Sequence, residues 1–130
     1  VRDPASLFRA LADETRLKML ALILRHGELC VCDVMTVLCI TQSKASRHLR
    51  YLLNAGLLKD RRETVWAFYS LAEDLDPIRQ GIVDSVPQLL EQAVLDKMDK
   101  KMTVWNRLKC SMADIDSAET ASNSTESGSC

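Results

Sequence analysis

The stretch "TQSKASRHLRYLLNAG", Thr41 to Gly56, decides how this chain reads. Thr41 suits a helix N-cap, Gly56 a helix stop, and no proline or glycine interrupts the residues between them. At 3.6 residues per turn, Ala45, Leu49 and Leu52 share one side while Ser43, Ser46, Arg47 and Arg50 share the other. One side needs a core; the other offers hydroxyls and two guanidiniums. Such a face can hold phosphates and read base edges, with arginine suited to guanine and Gln42, near the helix start, suited to adenine. Lys44 adds a cation in the first turn. His48 lies off this face and reads as a structural or phosphate-contacting histidine rather than a metal ligand.

Working outward, a short helix is expected from about Val31 to Ile40, with Val34, Val37 and Leu38 facing inward. Before it, "DETRLKMLALILRHG" repeats Leu17, Leu20, Ala21 and Leu24 at helical spacing and stops at Gly27. At the start, "DPASLFRALAD" gives a first helix with Asp3 as N-cap, Pro4 at its first position and a stripe of Leu7, Phe8 and Leu11. After Gly56, "LLKDRRETVWAFYSL" turns to β-branched and aromatic residues around a charged centre, which predicts two strands joined by an Arg-Glu-Thr turn. Two consecutive helices, a tight turn and a strand pair make a helix-turn-helix with a wing. The fold class expected is mainly α with a small β-hairpin.

The formal net charge of −1 hides an uneven distribution. Between Thr41 and Arg62, six cations (Lys44, Arg47, Arg50, Lys59, Arg61, Arg62) face one acid, Asp60. Between Ser111 and Cys130 there are four acids and no base. A basic segment can attract phosphates whatever the rest of the chain carries, so double-stranded DNA is the expected partner. Lys59, Arg61 and Arg62 would sit on the hairpin, placed to reach an adjacent groove or backbone.

The segment "ELCVCDVM", Glu28 to Met35, sets two cysteines one residue apart. An odd total of five cysteines argues against a disulfide framework and for metal binding or redox chemistry. Cys30 falls at the N-cap of the third helix, with Asp33 three residues on as in a capping box. A helix start lowers thiol pKa values, so both cysteines are expected to ionise readily and to bind soft ions. Residues i and i+2 of a helix do not face each other. A shared ion would therefore distort the helix that seats the basic one, and that is a switch. Cys39 reads as a core cysteine.

From Asp76 to Lys109 a helical pattern returns, with Leu90, Val94, Met98, Met102 and Trp105 three or four residues apart and Pro87 as a kink or restart. That much apolar surface exceeds what one small domain covers, so a homodimer is expected. Residues 1–110 form the expected DNA-binding and dimerisation domain; 111–130 are expected to be a disordered, acidic, Ser-rich tail, dispensable for DNA binding. The start "VRDPASLFR" lacks the apolar stretch of a signal peptide, and Met19 to Leu24 is too short to cross a membrane. A cytoplasmic protein is expected. No nucleophile–base pair, phosphate-binding glycine loop or carboxylate constellation is present, which argues against an enzyme and a catalytic cofactor.

Together, "LADETRLKMLALI", "ELCVCDV", "TQSKASRHLRYLLNAGLL" and "DRRETVWAFYSL" resemble the ArsR/SmtB family of winged-helix metalloregulators, over roughly residues 4 to 75. The resemblance implies a homodimeric repressor, paired through its first and last helices, that leaves its operator when an inducer binds. It implies arsenite or antimonite, As(III) or Sb(III), as that inducer and Cys30 and Cys32 as its ligands. The family's arsenic sensors usually carry a third cysteine where this chain has Met35. A third thiolate could instead come from Cys110 or Cys130 of either subunit, or be absent. With two thiolates an organic arsenical, or cadmium or lead, is an alternative inducer, and thiol oxidation an alternative signal.

Overall fold

Capping residues set the helix starts. A computed structural model describes residues 3–118, in the order α1 (Pro4–Leu11), α2 (Glu14–His26), β1 (Leu29–Cys30), α3 (Val31–Leu38), α4 (Gln42–Asn54), β2 (Leu58–Glu63), β3 (Trp66–Leu71), α5 (Pro77–Leu89) and α6 (Gln92–Ala118). Asp3, Asp13, Thr41 and Asp76 each accept a backbone N–H of the first turn, at 2.8–3.2 Å. Pro4 and Pro77 occupy first helical positions, where the missing N–H costs nothing. Gly27 ends α2 at φ 90°, a conformation that side chains disfavour.

The core lies where α2 meets α4, α5 and α6. Met19, Leu20, Leu22 and Ile23 of α2 are buried with Leu49 and Leu52 of α4, Val83 and Val86 of α5, and Leu95, Met98 and Met102 of α6. The apolar side of α2 is thus wider than its Leu17–Leu24 repeat suggested. Phe8 is not part of the core at all: it is 60% exposed. A three-stranded antiparallel sheet in the order β1-β3-β2 closes one side. Leu29 pairs with Tyr69 and Cys30 with Phe68, while β2 runs from Leu58 opposite Leu71 to Glu63 opposite Trp66.

Several expectations are corrected. The hairpin turns on Thr64–Val65, with Thr64 at φ 55°, rather than on Arg-Glu-Thr, because Arg62 and Glu63 still pair with Ala67 and Trp66. β1 has no alternation to announce it, being two residues long. Of the kink or restart expected at Pro87, the structure takes the restart: Pro87 sits in the last turn of α5, Leu90 is extended, and α6 begins at Gln92. Helix α6 continues to Ala118, past residue 110 where the domain was expected to end; the remainder of the tail lies outside the described residues. No described helix is long and apolar enough to cross a membrane.

Candidate functional site

Helix α4 presents the basic face that its spacing predicts. Gln42, Ser43, Lys44, Arg47 and Arg50 are exposed and Ser46 is half-buried, while Ala45, Leu49 and Leu52 are fully buried. Among the described residues Arg47 and Arg50 enter no ion pair, so their charge is open to a phosphate. His48 is different. It is buried, and its Nδ1 lies 3.1 Å from Arg16 Nη1. Because an arginine can only donate, Nδ1 is the acceptor and the imidazole is neutral with its proton on Nε2. His48 therefore helps to seat α4 through its bond to Arg16.

The seat depends on Arg16, which the sequence reading passed over. Its guanidinium donates to Ala10 O at 2.8 Å and Arg9 O at 3.1 Å, capping the end of α1, and it stacks 4.0 Å from the Tyr51 ring centroid. One buried cation thus ties α1, α2 and α4 together. The signal for it was an arginine among the apolar residues of α2. Burial pushes the His48 pKa below its ordinary value; the Asp13 carboxylate pulls it back, and Arg16, Arg47 and Lys44 push it down again.

The wing is less cationic than its sequence. Arg61 forms a two-point pair with Glu28 at 2.8 and 2.9 Å, touches Glu63 at 3.1 Å and lies over Phe68. Lys59 pairs with Glu73 at 2.7 Å. Both are spent on the wing's own anchoring. Arg62 remains exposed and enters no ion pair among the described residues. A surface groove beside the wing, lined in part by Lys59, Glu73, Asp74 and Arg79, contains neither Cys30 nor Cys32.

Cys30 and Cys32 are free thiols at the start of α3, Cys30 buried and Cys32 half-buried. The capping box is present: the Cys30 sulfur accepts the Asp33 backbone N–H, and Asp33 Oδ2 accepts the Cys30 N–H at 2.9 Å. The expected acidification of Cys30 is not found. Burial pushes its thiol above the ordinary value, and the Asp33 carboxylate adds to that, while the hydrogen bond from the Asp33 N–H only partly offsets it.

Asp33 reaches further than a cap. It is 2% exposed, and its Oδ1 accepts Trp105 Nε1 and Lys109 Nζ, both at 2.7 Å, from α6. Burial alone would raise its pKa; the bonds from Lys109, the Cys30 N–H and Trp105 outweigh that and hold the carboxyl below its usual range. The sequence announced the cap but not these partners, which are more than seventy residues away.

Cys39 is not a core cysteine. It is the C-cap of α3 at φ 57°, half-buried, its sulfur turned toward Lys101 Nζ at 3.2 Å. The side chains of Cys110 and Cys130 lie outside the described residues. No group of three or more His, Cys, Asp or Glu able to hold a metal ion occurs among the described residues. Two thiols at one helix start still suit a soft, low-coordinate ion.

Comparison with known proteins agrees with this geometry. The model of the bacterial regulatory protein arsR family matches residues 13–60. An arsenic resistance transcriptional regulator of Pseudomonas putida is 42% identical over 99 residues, covering 73% of this chain and 77% of the relative. The chain belongs to the arsR family. The family is one of DNA-binding transcriptional regulators, not enzymes. Two solved structures of similar shape carry the same architecture. A homodimeric winged helix-turn-helix DNA-binding domain from Mycobacterium bovis has a TM-score of 0.56 and 28% identity, covering 65% of this chain and 75% of its own. The AntR antimony-specific transcriptional repressor has a TM-score of 0.55 and 29% identity, covering 67% and 76%. This regulator is thus a winged helix-turn-helix protein, with α3 and α4 as the helix pair and β2–β3 as the wing.

Proposed function

We propose that this regulator is a homodimeric, cytoplasmic repressor that holds operator DNA with α4 and releases it when As(III) or Sb(III) binds Cys30 and Cys32. The observation that carries the reading is the thiol pair at the first turn of α3, the helix packed directly against α4. Gln42, Ser43, Lys44, Ser46, Arg47 and Arg50 would meet the major groove, and Arg62 the backbone beside it. The arsenic resistance regulator and the antimony-specific repressor support the choice of inducer.

The chemistry fits a buried Cys30 that is not acidified. Arsenite in water is the neutral As(OH)3. Each thiol that bonds to arsenic sends its proton away with a hydroxyl as water, so two thiols give a neutral product and two waters. No charge enters the buried position. A divalent cadmium or lead ion would have to expel two protons to solvent and would favour more donors than this pair supplies. A third thiolate from Cys110 or Cys130, in either subunit, would complete a trigonal arsenic; an organic arsenical, with one bond already to carbon, would need none.

The test is an arsenite titration of the protein on its own promoter DNA, with Cys30→Ser, Cys32→Ser and a cadmium comparison. Arsenite should release the wild type and neither variant. Release by cadmium or peroxide alone would keep the repressor and replace its signal.

A further inference from the structure

We infer that Asp33 is the positioning residue through which ligation of Cys30 and Cys32 reaches α6. The inference rests on the thiol pair being the inducer site and adds the route by which that site acts. One carboxylate, 2% exposed, spends Oδ2 on the Cys30 N–H at 2.9 Å and Oδ1 on Trp105 Nε1 and Lys109 Nζ at 2.7 Å each. Trp105 and Lys109 are four residues apart and share one face of α6. The two oxygens belong to one rigid planar group, so a rotation at the α3 end is a displacement at the α6 end.

Ligation supplies that rotation. At helical spacing Cys30 and Cys32 point apart, and a shared arsenic requires them to converge. The Cys30 sulfur must then give up the Asp33 N–H that it accepts in the capping box. Asp33 is next to Cys32 and moves with this turn. Trp105 and Lys109 cannot leave the carboxylate without abandoning a buried acceptor, so α6 follows or α3 resists. Either way the thiol site and α6 share one equilibrium. The coupled element also carries Val104 and Leu108, which are more than half exposed, so its shift would alter how two protomers present their α4 helices.

The experiment compares operator affinity with and without arsenite in the wild type and in Trp105→Phe/Lys109→Met. The double variant keeps both thiols, α4 and the capping box, and its arsenite-free operator affinity should stay within about threefold. Its arsenite response should fall about tenfold, within the usual range of coupling between sites. Restoring a donor with Trp105→Phe/Lys109→Arg should recover much of the response, which a purely structural role would not predict. An undiminished response in the double variant overturns the inference. A wild type that arsenite does not release overturns the thiol-site reading itself, and the inference with it. A second measurement stands apart from the folding of these variants. In Trp66→Phe the only tryptophan is Trp105, and its emission should shift as arsenite binds, but not when Cys32→Ser is added. An emission that stays fixed while arsenite releases the DNA also overturns the inference.

Discussion

Arg16, Arg47 and Arg50 are chemically alike, and only their surroundings divide their work. Arg16 is 9% exposed and satisfies two α1 carbonyls and His48, so its removal leaves buried acceptors unmatched. Arg16→Met should therefore cost about 2–4 kcal/mol of folding stability in urea unfolding. Arg47→Ala and Arg50→Ala should leave the unfolding midpoint nearly unchanged, since both side chains stand in solvent. What they should lose is DNA. Each phosphate contact removed lowers the slope of log K against log salt by roughly 1. A variant pair that weakens binding without reducing the slope would assign these arginines to base edges instead. The exposed face was legible in the sequence because helical periodicity alone places Ser43, Ser46, Arg47 and Arg50. Arg16 and the outer partners of Asp33 were not, because their contacts join residues from 6 to 76 positions apart and no local pattern encodes such pairs.

Helix α4 can read DNA only while its inner side stays docked, and His48 makes that docking sensitive to pH. Burial lowers its folded-state pKa below the unfolded value near 6.5. The unfolded chain then binds the extra proton first, so stability rises with pH across this window. It is fully present above about pH 6.5 and is lost as pH falls through the lower folded value. Protonation would also turn the Nδ1 acceptor into a donor facing the Arg16 guanidinium. Stability measured from pH 7.5 to 5.5 should decline in the wild type and decline less steeply in His48→Gln. Parallel slopes in the two proteins would place the acid sensitivity elsewhere. The elements themselves differ in how far sequence reveals them. Caps at Asp3, Asp13, Thr41 and Asp76 are local chemistry and mark their helices well. A two-residue strand such as β1 exists only because β3 passes alongside, and a hairpin turn shifts by a residue when the strand ladder holds to its end.

At the scale of the whole molecule, α6 carries apolar residues on more than its inward side. Leu95, Met98 and Met102 are buried against the core, yet Val104 is 52% and Leu108 53% exposed, and Phe8 on α1 is 60% exposed. Val104 and Leu108 lie four residues apart on one face of the helix. Leaving three large apolar side chains in water is costly, and the first and last helices are where the family resemblance places the dimer contact. Leu108→Glu would put a charge into that contact at a side chain that is more than half exposed in the protomer. Sedimentation equilibrium should then report a monomer whose helical circular dichroism matches the wild type. Operator affinity should fall far more than any single arginine substitution makes it fall, because one α4 without its partner reaches only one half-site. A Leu108→Glu protein that remains dimeric would move the interface away from α6. The arsenite response would then have to reach DNA through α3 and α4 alone, within one protomer, rather than through the spacing between two.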